Sequence, residues 1–498
     1  MSNIKLPQIF SHNMVLQRDK KILVWGSSDD NKEIKVTLNN KSYGTIPKKN
    51  NWKIELEPMK AGGPYVLVIE QEDTVVSFSN VMIGEVWLAG GQSNMELELQ
   101  NSENGLTEIE NAHFENIRFY NVLKTAYIDE KSLNEEKNQN WKMAIGDACK
   151  DMSAVAFHFA KKLNDVLDVT IGIIDCYWGG TSAMCWMSEN YLLSDEDTKK
   201  NYDEYLDIIN HMTDEDYENE MAKYNEEYED WNQRVEAMKA VDPNVTWEIL
   251  NEQAGLCPWP QPMGRKSPFR PGGLHETMIM RVAPFSLRGF IYYQGEEDWS
   301  RSLYYAKLNE MVIKQWREDF QDENLPFILT QLPMYIAKGD IDDKNWCILR
   351  EQQELVTRNI NHVSMAVTID CGEFDNIHPI DKKTPGDRLA LQSLGKVYGV
   401  LKKYDNMYIR EVKYTGEIVM MEFENVYDGI KQVREIEGFE VAGSDLLFVK
   451  ATAQISGKLI FAHNEQVKAP KYVRYAWTNF GKVNVYNSEG LPLAPFRK

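Results

Sequence analysis

No apolar run in this sequence approaches the 18 or so residues that a spanning helix needs, and the opening Met1-Ser2-Asn3-Ile4-Lys5-Leu6-Pro7 lacks the apolar core of a secretory leader. The expectation is a cytoplasmic protein with no membrane partner. Cysteine is scarce, with 6 among 498 residues, and Cys149, Cys176, Cys185, Cys257, Cys347 and Cys371 form no Cys-x-x-Cys pair. That excludes a small disulfide framework and a zinc site of paired cysteines, and leaves reduced thiols, mostly in the core. Basic charge is short as well: 55 Lys and Arg against 76 Asp and Glu leave a net charge of -21. A chain of that sign lacks the basic footprint that nucleic acid or an anionic surface requires. With 30 Gly and 18 Pro the chain is not collagenous or of low complexity.

What is there is ample material for a core, 43% hydrophobic residues, in a length that suggests two or three domains. Residues 1–80 read as a β-rich domain, since Ile34, Val36 and Leu38 alternate, as do Trp52, Ile54 and Leu56. From 81 to 398 short apolar runs (Val86 to Ala89, Val169 to Asp175, Gly289 to Tyr293, Pro326 to Gln331, Ser364 to Asp370) alternate with helical patterns such as 153–166 and 302–319. That grammar predicts a parallel sheet covered on both faces. Strands return over 399–498, at Ile418 to Phe423, Leu446 to Val449, Lys458 to Ala462 and Tyr472 to Trp477, in a tail expected to pack near the first domain.

An acidic insertion at about 190–262 interrupts the α/β pattern. Tyr217, Met221, Tyr224, Tyr228, Trp231, Val235 and Met238 recur at spacings of four and three, which predicts a long amphipathic helix with Tyr202, Tyr205, Leu206 and Ile209 as its partner. Such a hairpin either lies on the domain with its carboxylates solvated or serves as a lid or a homo-oligomer contact.

The chemistry concentrates at strand ends. Gly84 to Glu96 reads as a buried strand running into Gly90-Gly91-Gln92-Ser93, and a serine at such a turn is where an open α/β sheet presents a catalytic hydroxyl. Gly-x-Ser should occur by chance roughly two or three times in a chain of average composition. Of the three present, only the one ending at Ser93 follows a buried-strand pattern. A serine needs a base. Among the eight histidines, His378 has Asp375 three positions earlier, a spacing that could orient the ring, whereas the similar Glu110/His113 pair has no apolar strand leading in. Trp178-Gly179-Gly180-Thr181-Ser182 and Tyr293-Gln294-Gly295-Glu296 each follow a strand and offer N–H or carboxamide groups to a developing oxyanion.

Together with Met14-Val15-Leu16-Gln17-Arg18, Trp52-Lys53, Leu349-Arg350-Glu351 and the closing Leu491 to Arg497, these motifs give a chain that resembles the SGNH hydrolase superfamily along nearly its full length, specifically the bacterial sialate O-acetylesterase type and related carbohydrate acetylesterases. The resemblance implies a flavodoxin-like, three-layer α/β/α catalytic domain. It implies Ser93 as nucleophile, Asp375 and His378 as the rest of a triad, and Ser93 N–H, Gly180 N–H and the Gln294 carboxamide as oxyanion donors, with no cofactor or metal. The expected substrate is an acetylated sugar or oligosaccharide. Two departures from the pattern, Glu297-Asp298 and Leu274-His275-Glu276-Thr277, are expected to face the sugar, with His275 a candidate contact. An inactive sugar-binding protein and a lipase or thioesterase on the same fold are the competing readings.

Overall fold

The computed structural model describes residues 4–242 and 245–498, so the first three residues, on which part of the leader expectation rests, lie outside it. Seven strands form the main path of an 11-stranded central sheet, the other four coming from the N-terminal region: β1 (Thr74–Gly91), β2 (His113–Asn121), β3 (Lys142–Ile145), β4 (Ile171–Tyr177), β5 (Gly289–Tyr293), β6 (Phe327–Thr330) and β7 (Val363–Ala366). Their order is β3-β2-β4-β1-β5-β6-β7, parallel throughout except for β3 on the edge. The apolar run Val86 to Ala89 is fully buried because both faces are covered. Trp87 meets Phe159 of the helix Ala154–Leu167 on one side (ring centroids 5.3 Å), and Phe290, which pairs with Leu88, meets Trp316 of the helix Tyr305–Asp319 on the other (5.5 Å). The first of these helices starts where Ser153 Oγ accepts the Ala156 N–H at 3.1 Å, and stops where Asp168 turns left-handed at φ 51°. The result is the expected three-layer α/β/α arrangement with additional β structure at both ends.

The boundary expected at 80/81 falls inside one unbroken strand. The first half of β1 pairs with Gly62–Gln71, and its second half lies between β4 and β5. Where the two halves meet, Glu85 is fully buried and holds Arg18 Nε at 2.5 Å, Arg288 Nε at 2.6 Å and Gln17 Nε2 at 3.1 Å. Gln17 Oε1 also accepts the Val86 N–H at 2.8 Å, which explains the Gln17-Arg18 motif as a clamp between the N-terminal strands and the sheet. Removing one partner from a buried ion pair typically costs about 3–5 kcal/mol.

Two expectations change. The tail forms two four-stranded sheets, but it is fastened to the helix Asn345–Asn359 and the loop before it rather than to the N-terminal region. Arg350 donates to Thr478 O at 2.5 Å, Tyr335 N to Asn479 O at 2.8 Å, and Arg497 pairs with Glu351. Within the tail, Leu446 is not in a strand but in a turn at φ 60°, and only Val449–Lys450 extends. In the insertion, Asp214–Val241 is one helix opened by a capping box between Thr213 and Asp216, with Tyr217, Tyr224, Trp231 and Val235 buried. The C-terminal half of its apolar stripe, Trp231 and Val235, packs on the downstream helix Trp247–Ala254 through Leu250 and Ala254, and the first half meets the returning chain, Tyr217 at Gly264 and Tyr224 at Pro258, where the expected partner was the upstream helix Glu196–His211. The period predicts the stripe but cannot say which neighbour covers it.

Candidate active site

Ser93 stands at the carboxyl end of β1, which β4 flanks on one side and β5 on the other; the chain leaves β1 for β2 on the β4 side and later crosses from β4 to β5, the place where open parallel sheets form a crevice. Gly91 is paired with both Tyr177 and Tyr293 at φ 132°, and a Cβ there would lie 2.1 Å from the Tyr293 carbonyl oxygen, so only glycine fits. Those pairings also put the ends of β4 and β5, and the two motifs that follow them, at the level of the serine. The short turn Ser93–Glu96 begins immediately, which leaves the Ser93 N–H outside the helical hydrogen bonds.

His378 Nε2 lies 2.8 Å from Ser93 Oγ. Its backbone is held by Asn376 Oδ1, which accepts the His378 N–H at 3.0 Å, and by Asn94 Nδ2, which donates to Ile377 O at 2.9 Å. Asp375 is brought into the same loop but turned elsewhere: at φ 56°, its Oδ1 accepts the Lys338 N–H at 2.8 Å, and its own N–H donates to Ile336 O at 3.1 Å. Among the described residues no hydrogen bond joins Asp375 to His378, and the ring's Nδ1 has no protein partner. The three-residue spacing therefore delivers the aspartate to the loop without delivering it to the imidazole, because a left-handed residue points its side chain away from the face that a regular turn would share.

The His378 ring keeps some surface open, yet the atoms packed around it desolvate it, and burial, helped by the Lys382 ammonium, pushes its pKa down to about 4. The base is neutral above that pH. The acid limb of kcat/KM is therefore expected near pH 4 rather than near the ordinary histidine value of about 6.5. Profiles taken from brief exposures, with activity re-measured after return to neutral pH, check this; a limb at 6.5 or above would place the Asp375 carboxylate on the ring in the working enzyme. Brief exposure matters because His158, buried without a partner for Nε2, is likewise held neutral by burial at about 4. The unfolded chain takes up these two protons first, so their contribution to stability is intact above about pH 6.5 and is lost as pH falls toward about 4.

Of the oxyanion donors expected, two are free. The Gly180 N–H, at φ 72°, has no hydrogen-bond partner among the described residues, and the neighbouring Gly179 N–H is taken by the Glu96 carboxylate, which also pairs with Lys124. Glu96 thereby pins the 178–180 turn beside the serine. Gln294 is different. Its Nε2 donates to Asp298 Oδ2 at 2.7 Å, to Gln92 Oε1 at 3.2 Å and to Thr181 O at 3.2 Å, while its Oε1 accepts the Tyr305 hydroxyl at 2.5 Å. Both amide hydrogens are committed to buried acceptors, so this geometry leaves Gln294 a bridge between strand ends and no donor to spare.

Two residues of the departures from the family pattern, Asp298 and His275, turn inward. Asp298 is fully buried and accepts from Ser182 Oγ at 2.6 Å and Ala183 N at 2.8 Å, so it braces the 181–183 turn and does not face a sugar. His275 is buried too, with Nε2 at 2.9 Å from both Asp319 Oδ2 and Gln315 Nε2, and is a core histidine rather than a sugar contact. Residue pattern alone missed a buried polar cluster under the serine. Asn94 donates to Glu296 Oε1 at 2.5 Å and accepts from Lys382 Nζ at 2.6 Å, and all three side chains are buried. Burial raises the Glu296 pKa and lowers that of Lys382 to about 8 against the pull of Glu296. Asn94 and Glu296 sit inside the motifs and could have been suspected. Lys382 carried no signal, since charged residues of its type are almost always solvated.

Residues 264–395 match the family described as carbohydrate esterase, sialic acid-specific acetylesterase, a segment that contains Gln294, Asp375 and His378 but not Ser93 or Gly180. The sialate O-acetylesterase of Mus musculus is 27% identical over 424 residues, which cover 78% of this chain and 72% of that one. The human protein of the same description is 25% identical over 425 residues, 78% of this chain and 70% of the other. The crystal structure of a carbohydrate acetylesterase from Xanthomonas citri superposes with a TM-score of 0.79 at 28% identity, covering 100% of this chain and 99% of that one. Over this segment, and along most of its length at 25–28% identity, the chain is thus similar to carbohydrate esterases of the sialic acid-specific acetylesterase type, which indicates a carboxylic ester hydrolase.

Proposed function

We propose that this chain is a serine carbohydrate O-acetylesterase working through an acetyl-serine intermediate. The observation that carries the reading is the 2.8 Å contact between Ser93 Oγ and His378 Nε2 in the crevice at the end of β1. His378 takes the Ser93 proton as Oγ attacks the acetyl carbonyl, and the oxyanion is met by the unpartnered Ser93 and Gly180 amides. The sugar oxygen leaves with the proton from His378. Water then attacks the acetyl-serine, gives a proton to His378, and acetate departs as Ser93 regains its hydrogen. Six free thiols, most of them buried, suit a reducing, cytoplasmic compartment.

Acetate release should be measured on acetylated sialic acids and on acetylated xylo- and manno-oligosaccharides, alongside p-nitrophenyl acetate and p-nitrophenyl palmitate. Release from at least one acetylated sugar, with the palmitate ester cleaved far more slowly than the acetate, is the expected outcome. Preference for palmitate would make the protein a lipase, and no hydrolysis of any ester would make it a sugar-binding protein on a hydrolase fold.

A further inference from the structure

The chain that returns from the helical insertion, residues 255–273, passes beside the nucleophile. Trp259 lies in it with 48% of its surface exposed, and its indole rests on Gly180: a Cβ on that glycine would meet Cη2 at 2.2 Å, Cζ2 at 2.9 Å and Cζ3 at 3.1 Å. Gly179 in turn abuts Ser93, since a Cβ on it would lie 3.2 Å from the serine Cβ. The ring therefore stands one residue from a free oxyanion amide and two from the reacting hydroxyl. Its contact with Gly180 is through edge carbons, which leaves the flat face uncovered by that glycine. A large aromatic side chain left half in water is not serving as core.

The ring is also held still. Phe269 meets it edge-on, with ring centroids 5.1 Å apart and planes at 81°. The insertion helix Asp214–Val241 fastens the chain that leads into it: Tyr224 OH donates to Pro258 O at 3.2 Å, Trp231 Nε1 to Gly255 O at 2.8 Å, and Arg234 Nε to Ala254 O at 3.2 Å. On the opposite flank of the crevice, Glu248 and Glu252 of the helix Trp247–Ala254 pair with the ammonium of Lys338, the residue whose backbone N–H holds Asp375. The insertion thus touches both sides of the site, the oxyanion turn through Trp259 and the histidine loop through Lys338.

We propose that Trp259 is the platform on which the sugar bearing the acetyl group stacks, so that the helical insertion sets which acetylated sugars reach Ser93; this rests on the carbohydrate reading above. A sugar ring has a face of C–H groups that an immobile indole buries at little cost in side-chain entropy, while the hydroxyl edges stay available to water and polar groups. Glycine at position 180 then has two duties, the left-handed turn that presents its N–H and the room for the indole against it.

The test compares the wild type with Trp259→Ala and Trp259→Phe on two substrates: whichever of the acetylated sialic acids and xylo- or manno-oligosaccharides the wild type deacetylates fastest, and ethyl acetate, which has no ring to stack. Trp259→Ala is expected to raise KM for the sugar ester roughly 10- to 30-fold with kcat within about twofold, to leave kcat/KM for ethyl acetate within about twofold, and to be largely rescued by phenylalanine. The same sugar ester should bind Ser93→Ala with a Kd lower, by the same factor, than it binds Ser93→Ala/Trp259→Ala. Parallel loss on both substrates would overturn the proposal and make the indole a prop for the oxyanion turn. Unchanged or faster turnover of both would also overturn it, the second by making the ring a cover over the site. If the wild type neither deacetylates nor binds any of the sugar esters, the carbohydrate reading itself fails and the platform with it, an outcome distinct from sugar turnover that ignores Trp259.

Discussion

Ser93→Ala is expected to lower kcat for acetyl ester hydrolysis by roughly 10⁴- to 10⁶-fold while leaving the melting curve unchanged, and His378→Ala to do the same. The double variant should lose no more than either single one, because nucleophile and base act as a unit and the residual rate comes from the oxyanion donors and substrate binding. Ser93 is partly open at the crevice, and its hydroxyl makes one hydrogen bond, to His378, so truncation leaves no buried group orphaned. Substantial hydrolysis by Ser93→Ala purified from an esterase-free host would sink the assignment. Asp375→Asn separates a pair from a triad. With its Oδ1 on the Lys338 N–H, an asparagine oxygen can accept the same bond, and kcat should stay within roughly tenfold of wild type. A loss near 10⁴-fold, the size seen when an orienting aspartate is replaced, would show that the carboxylate turns to His378 during turnover.

Gln294→Ala is expected to cost stability rather than turnover. The substitution removes the donor that Asp298, Gln92 and Thr181 share and the acceptor of the Tyr305 hydroxyl, all in a buried region. Each buried polar group left unsatisfied costs about 1–3 kcal/mol, although Tyr305 OH keeps the Gln294 carbonyl at 2.8 Å and Asp298 keeps Ser182 and Ala183. A fall in the unfolding midpoint of roughly 2–5 °C follows, with kcat of the folded protein near wild type. The alternative is equally definite. A carboxamide that meets the oxyanion would, when removed, lower kcat about 10²- to 10³-fold with KM little changed. Melting and kinetics on one preparation distinguish the two, and the second result would mean that Gln294 leaves Asp298 when substrate enters.

Local pattern was sufficient wherever the cause was local. The apolar runs ending at Ala89, Tyr293 and Gln331 announce buried parallel strands because both of their faces must be covered, and their carboxyl ends fall within two residues of those of β1, β5 and β6, although β1 begins far earlier, at Thr74. Glycine next to serine after such a run marks a sharp strand-to-helix turn, and Gly91 proves to be a position where a Cβ would strike the next strand. The pairing of Ser93 with His378, 285 residues apart, was reachable because each lies in a motif tied to a strand end. Tertiary structure alone decided the rest, because it depends on what a side chain meets and not on what it is. The Asp375 carboxylate is drawn to a backbone amide of a loop 37 residues away, the Gln294 amide to three acceptors from separate segments, and the Lys382 ammonium to a buried carboxamide 288 residues away. Each of these partners comes from a different stretch of chain. Spacing can bring a polar group to the site, but only the packed neighbours determine whether it is free for chemistry or already satisfied, since a buried donor or acceptor left without a partner costs more than almost any alternative arrangement.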